Sequence, residues 1–317
     1  MADIGRRIAR RATTLARVAR NPWAVYRRAQ QLEAENRQLR AAYETWVPPG
    51  HFYSPYPDLD DYDRRVAGLL DDRRELCGIE LHEDRQLELV EAIAPLVAGI
   101  AFPEHKDGAA TRYWFDNPAY GHGDGTVLHG MLRHLRPRRI VEVGSGYSSA
   151  MILDTVDGWL DDTEVTFVEP YAELLRGLLR PGDEARVAIH EVAVQDVDLG
   201  VFDQLGAGDV LFIDSTHVVK AGSDVNHLVL EVLPRLAVGV WVHLHDVFFP
   251  FEYPAAWVRE GRAWHETYLM RAFLAFNAAF EIRWFQDFLW ARHHEVLERL
   301  PHVARNPGGN LWIERVA

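Results

Sequence analysis

Two short apolar runs in the second half of the chain each lead into a histidine and an acid. Asp214 and His217 follow Asp209-Val210-Leu211-Phe212-Ile213, and His245 and Asp246 follow Val238-Gly239-Val240-Trp241-Val242-His243-Leu244. An unperturbed imidazole titrates near pH 6.5, so either histidine can take a proton from a hydroxyl, help that contributes about 10²–10⁴-fold to a rate. Asp214 and Asp246 are of the type that orients such a base. With His217 they also make a mixed nitrogen and oxygen donor set for a divalent cation, magnesium or a more borderline metal. The plainer alternative is that polar residues at strand ends satisfy loop backbone groups, and with 15 histidines in the chain several fall there by chance. His243 lies on the opposite side of its strand from Leu244 and is expected among polar contacts of the core.

A second constellation stands upstream, in Glu142-Val143-Gly144-Ser145-Gly146-Tyr147-Ser148-Ser149. Glycines between a strand and a helix permit a tight turn and the close approach of a ligand. A dinucleotide fingerprint wants a third Gly or Ala where Ser149 stands, so a nicotinamide-dependent oxidoreductase is one reading of the spacing. Glu142 separates the alternatives. A carboxylate there repels a pyrophosphate but suits S-adenosylmethionine (SAM), which carries a sulfonium and an ammonium group. Glu169, 25 residues after Gly144, is placed at a strand end to accept hydrogen bonds from ribose hydroxyls, or to act as a neighbour of a helix start beside Pro170.

These residues need a sheet edge to bring them together. From about 124 onward, helical patterns alternate with short apolar runs, which predicts a doubly wound, mostly parallel sheet covered on both faces. Strands are expected at 139–143, 164–168, 186–193, 209–213 and 238–244, with helices at 124–135, 147–158, 171–179, 224–236 and 261–278. Strands at 280–286 and 310–316, with helix at 287–299 between them, close the chain. Right-handed crossovers then line the strand C-termini along one ligand-binding edge. Ahead of this core, helical patterns cover 60–75 and 83–100. Two aromatic loops, His51–Asp58 and Arg112–Gly121, read as linkers or covers.

The chain resembles the class I SAM-dependent methyltransferases over roughly residues 110–317, on the Glu142, Gly144, Gly146, Ser148 turn, the acid Glu169, a polar residue after the third strand, Gln195 or Asp196, and Asp214 closing the fourth strand. The resemblance implies a Rossmann-like α/β fold with an antiparallel closing strand and SAM as cofactor. Cofactor contacts would come from Glu142, Gly144, Ser145, Gly146, Ser148, Glu169 and Asp214, with Gln195 or Asp196 near the adenine. Asn117 and Tyr120 would contribute from the second aromatic loop. Ile213-Asp214-Ser215-Thr216-His217 is similar to a narrower branch, the macrocin and catechol O-methyltransferases, where a second acid pair after the fifth strand helps hold magnesium. Here His245-Asp246-Val247 stands in that place, and Val247 offers no oxygen ligand. The expectation is methyl transfer to a hydroxyl of a small natural-product or sugar acceptor. His217 or His245 would be the base and Asp214, His217 and Asp246 a metal set. The aromatic run Phe248–Tyr253 with Trp257, Trp264 and Tyr268 would serve as acceptor wall or helix packing. Glu266 and Arg271 read as a surface pair, and Lys220 as a solvated helix start.

Composition bounds the rest. With 48% hydrophobic and 26% charged residues, 317 residues suffice for a sizeable core. A net charge of −13, from 34 basic and 47 acidic residues, disfavours nucleic acid as a partner. The charge is uneven: residues 1–40 hold ten arginines against Asp3, Glu33 and Glu35, or +7, leaving −20 for the remainder. This Arg-rich helical extension (1–45) precedes a layer of substrate-side helices and aromatic loops (46–123) and the cofactor-binding core (124–317). Leu32 and Leu39, seven apart, fit a short coiled coil and with it a homodimer. Ile4, Ile8, Leu15, Val18, Trp23 and Val25 among the arginines fit peripheral contact of residues 1–30 with a membrane. One cysteine, Cys77, no stretch near the roughly 18 apolar residues of a membrane span, and no cleavable leader pattern make the cytoplasm the expected compartment. A noncatalytic SAM-binding module recruited through the N-terminal helix is the third reading.

Overall fold

The computed structural model describes residues 30–33, 46–106 and 111–317. Residues 30–33 are helical; the remainder of the expected helical extension (1–45), with Leu39 of its heptad, lies outside the described residues. Contacts divide the chain into two units, Met1–Asp58 and Leu59–Ala317, so the segment after Leu59 belongs with the core. No helix among the described residues is long and apolar enough to cross a membrane.

The second unit is built on a seven-stranded sheet of order β3-β2-β1-β4-β5-β7-β6. The strands are β1 (Arg139–Val143), β2 (Glu164–Val168), β3 (Val187–His190), β4 (Val210–Ile213), β5 (Trp241–His245), β6 (Phe280–Phe285) and β7 (Asn310–Arg315). The first five are parallel, and β7 inserts antiparallel between β5 and β6. This is the Rossmann-like arrangement expected for class I SAM-dependent methyltransferases. β4 is buried at every position, as a central strand covered on both faces requires. The main helices are α1 (Leu59–Leu69), α2 (Glu83–Val97), α3 (His122–Leu135), α4 (Tyr147–Trp159), α5 (Glu173–Leu178), α6 (Asp224–His227), α7 (Ala255–Arg259), α8 (Glu266–Leu274) and α9 (Gln286–Arg292); short helical turns also cover Gly200–Asp203 and His294–Leu297.

Several boundaries differ from the periodicity, each for a local reason. The helix expected over 261–278 shortens to α8, Glu266–Leu274: Gly261 is left-handed at φ 84° ahead of it, and Phe276 is left-handed at φ 59° just past its end. The helix expected over 224–236 passes through a π-helical stretch, Leu228–Val232, and ends as a 3₁₀ turn, where Pro234 cannot donate to the ladder. The fifth strand starts at Trp241, because Gly239 turns at φ 89° against Ala207.

One row of side chains crosses the sheet on a single face: Phe167, Glu142, Phe212, His243 and Trp312 stand opposite one another on adjacent strands. His243 is in the core as expected, but not among polar contacts: it is stacked on Phe212 at 4.1 Å and against Trp312 at 4.8 Å, and neither ring nitrogen has a hydrogen-bond partner. The loop leading to α3 is pinned by the buried Arg112. Its Nε and Nη2 donate to Asp183 at 2.7 and 2.6 Å, its Nη1 to Asp154 of α4 at 2.7 Å, and its backbone N–H to Asp154 at 2.6 Å. The Arg112 hydrogen bonds overcome the opposing effect of burial and hold the Asp183 carboxyl well below the usual carboxylate range.

Candidate active site

The glycine turn closes because Gly144 sits at φ 82° directly beneath the end of β4. A Cβ there would lie 1.8 Å from the Asp214 carbonyl oxygen. The Gly144 amide donates to Val168 at 3.0 Å and the Asp214 amide to Val143 at 2.8 Å, so the ends of β1, β2 and β4 are tied by backbone alone. Beyond the turn opens a cavity of about 490 Å³ lined by Gly144, Glu169, Tyr171, Val194, Gln195 and Asp214, with Lys220 also on its wall. Glu169 accepts from the amides of Ser145 at 3.1 Å and Tyr171 at 2.8 Å, so it both shapes the turn and faces the cavity.

The residues expected around the cofactor divide. Gly144, Glu169, Asp214 and Gln195 line the cavity, whereas Asp196 is exposed and does not. Glu142 is fully buried below the turn, where Ser149 donates to its Oε2 and Oε1 has no partner. Burial pushes its carboxyl up to about 8, so at neutral pH it keeps its proton. Glu142 therefore supports the turn from behind and is not among the residues that line the cavity. Gly146 donates to Ser149 Oγ at 2.9 Å and opens α4, and Ser148 is buried beside Glu142. Ser145 reaches the site through its amide, its hydroxyl being buried without a partner. Asn117 spends its amide on the loop itself: it donates to Trp114 and Tyr120 carbonyls at 2.8 and 2.7 Å and accepts from the Tyr120 amide at 2.7 Å. Tyr120 is buried with its hydroxyl unpartnered and its ring 5.1 Å from His245.

At the neighbouring strand ends the register places Ile213 beside Leu244, which sets Asp214 next to His245. His217 and Asp246 both take left-handed backbone, at φ 59° and 56°. His217 Nε2 is 3.5 Å from Asp214 and 3.7 Å from Asp246, and His245 Nδ1 is 3.4 and 3.8 Å from the same two. Behind them stand two acids without any sequence signal. Glu266, the first residue of α8, meets His217 Nδ1 at 2.7 Å. Asp124 of α3 lies 3.7 Å from His245 Nε2 and is held by Asn310 Nδ2 at 2.7 Å. Glu266 is buried, so the surface pair expected with Arg271 does not form.

Burial alone would lower both imidazoles. Hydrogen bonds to Asp214 and Glu266 instead push His217 up to about 10, and the Asp246 and Asp214 charges raise His245 well above its ordinary value. Asp246 is raised by burial. Asp214 is also disfavoured by burial, but the two histidines outweigh this and hold it far below the usual carboxylate range. The imidazoles and carboxylates thus serve as one another's ion-pair partners. Among the described residues no preformed group of three or more His, Cys, Asp or Glu side chains is found around an ion-sized space, and Asp214, His217 and Asp246 face one another here as ion-pair partners.

Known proteins were compared with this chain. The family model described as a methyltransferase domain matches residues 141–247, from β1 to just past β5. A protein of unassigned function from Archaeoglobus fulgidus is 34% identical over 164 residues, spanning 50% of this chain and 73% of that one. Among solved structures, the O-methyltransferase TomG of Streptomyces achromogenes, involved in tomaymycin synthesis and in complex with SAM, is 17% identical. That likeness covers 81% of this chain and 96% of that one, with a TM-score of 0.41. A putative O-methyltransferase from Klebsiella pneumoniae is 16% identical over 81% and 97%, also at 0.41. Both structural likenesses are distant. The cavity fits SAM on its own terms: a glycine cradle that a Cβ would fill, an acid at the β2 end, and the buried Val194 beside Gln195 for the adenine. The family match gives the chain a methyltransferase domain over residues 141–247, carried on the Rossmann-like sheet.

Proposed function

We propose that this enzyme methylates a hydroxyl oxygen of a small acceptor, a natural product or a sugar, with His217 as the base. The observation that carries the reading is the Glu266 contact. With Nδ1 held at 2.7 Å by a buried carboxylate, Nε2 is left to face Asp246 and Asp214, the latter on the cavity wall. An imidazole fixed this way has a set tautomer and a set aim. His245 lies deeper, against Asp124 and Tyr120, and supplies field rather than proton transfer.

SAM, when bound, supplies a methyl group on a positive sulfur. Asp214, which lines that cavity, then has a cation to face besides the two imidazoles, so its hold on the His217 proton weakens and Nε2 becomes available. The acceptor O–H gives its proton to Nε2 as its oxygen forms the bond to carbon and the carbon–sulfur bond breaks. Trp264 packs 4.4 Å from the His217 ring, and Trp257 and Tyr253 stand 5.2 and 5.8 Å from Trp264. This wall suits an aromatic ring or the apolar face of a sugar.

The test is binding of labelled SAM, followed by methyl transfer to a panel of phenols and sugars with the rate followed against pH. The rate should rise with pH along a limb that belongs to His217. Failure to bind SAM at high micromolar concentration sinks the reading.

A further inference from the structure

Residues 1–58 carry two features that methyl transfer does not use. In the sequence, residues 1–28 hold eight arginines against the single acid Asp3, while everything after residue 40 sums to −20. Ile4, Ile8, Leu15 and Val18 recur at the spacing of one helical face, with arginines between them. In the structure, the loop after residue 45 displays its rings: Trp46 is 85% exposed, Phe52 81% and Tyr53 60%. They stack on one another, Trp46 on Tyr53 at 5.1 Å and Phe52 against Tyr53 at 4.2 Å, with His51 on Phe52 at 4.2 Å.

The loop holds these rings outward. The Gly50 amide donates to Tyr56 at 3.2 Å, His51 to Pro48 at 3.1 Å and Ser54 to His51 at 2.7 Å, and Pro48, Pro49, Pro55 and Pro57 remove backbone freedom. A contiguous cluster of large exposed rings marks an interaction surface, unlike scattered apolar residues. Trp and Tyr settle at the depth of lipid headgroups, and arginines near the surface are drawn to anionic lipid. A polynucleotide would use the arginines but offers nothing to the apolar side chains Ile4, Ile8, Leu15 and Val18 that recur among them in the sequence.

We propose that residues 1–58 attach the enzyme to an anionic bilayer, the arginines meeting headgroups and the Trp46–Phe52–Tyr53 cluster entering the interface. The full chain is floated with vesicles of phosphatidylcholine alone and with vesicles containing about 30 mol% phosphatidylglycerol. It should rise with the anionic vesicles only and be released by about 0.5 M NaCl, which shortens the screening length to a few ångströms. Replacing Trp46, Phe52 and Tyr53 together by Ala should weaken vesicle binding by about 10-fold or more, and Gln at Arg6, Arg7, Arg10 and Arg11 should abolish it. SAM affinity equal to the parent confirms that each variant is folded. Equal flotation with neutral vesicles overturns the proposal, as does undiminished binding by the triple variant. So does a parent chain that ignores both vesicles, an outcome that points to a protein partner.

Discussion

The two halves of the ligand edge are built by different means. The cofactor half, at the ends of β1 and β2, is made of backbone: Gly144, the Ser145 and Tyr171 amides, and one acid, Glu169, that orders them. The histidine half, at the ends of β4 and β5, is made of charges drawn from distant segments: Asp214, His217, His245, Asp246, Glu266 and Asp124. A backbone site tolerates almost no change of shape and little depends on its ionisation. A charge cluster tolerates small changes of shape, but each member sets the proton affinity of the next. The two halves should therefore fail differently.

Gly144→Ala gives the largest effect. Its Cβ collides with the Asp214 carbonyl and its φ is one that alanine resists, so SAM affinity should fall by more than about 100-fold, as displacements of order 1 Å do. Calorimetric titration with SAM checks this; near-parent affinity would mean that the cofactor half is not a backbone site. In the other half, His217→Asn should leave SAM affinity intact and lower the turnover rate by about 10²–10⁴-fold, read in single-turnover assays. Glu266→Gln should cost less, and should also move the ascending limb of the pH–rate profile to lower pH, since a neutral amide no longer holds the imidazolium. A rate loss without that movement would reduce Glu266 to packing.

Arg112→Ala tests what braces the cofactor side. It strands two buried carboxylates, Asp154 and Asp183, a loss of about 3–5 kcal/mol in unfolding free energy. Asp183 is held below its unfolded value, so this stabilisation is present above about pH 4 and is lost as pH falls below that. Denaturant melts at pH 7 and pH 3 should show the difference between parent and variant shrinking in acid. Glu142→Gln is the mildest change. Because the carboxyl is raised to about 8, stability due to its protonated form is full below about pH 4.5 and is lost as pH rises through 8. The variant should match the parent within about 1 kcal/mol at pH 5 and become the more stable of the two by pH 9. A constant difference across that range would place a charged Glu142 under the turn.

How much could be read in advance followed the same division. Gly144, Glu169 and Asp214 were legible because strand, turn and acid are neighbours in sequence and the local geometry repeats their spacing. The helix over 261–278 was drawn too long at both ends, because its apolar period runs on past the left-handed backbone at Gly261 and Phe276 that bounds it. Glu142 was read from its charge, and its place in the central strand row, which buries it beneath the turn, could not be seen from the spacing. Glu266 and Asp124 lie 49 and 121 residues from the histidines they serve, and no spacing could single them out.

The order of strands and helices, the glycine turn and the presence of acids and histidines at the β4 and β5 ends came from the sequence by itself, because each rests on contacts within about thirty residues. Which buried carboxylate meets which imidazole, and which way burial moves each group's proton affinity, were decided only in three dimensions. Those properties depend on burial and on charges 3–4 Å away, and both are set by elements that meet only when the sheet is complete.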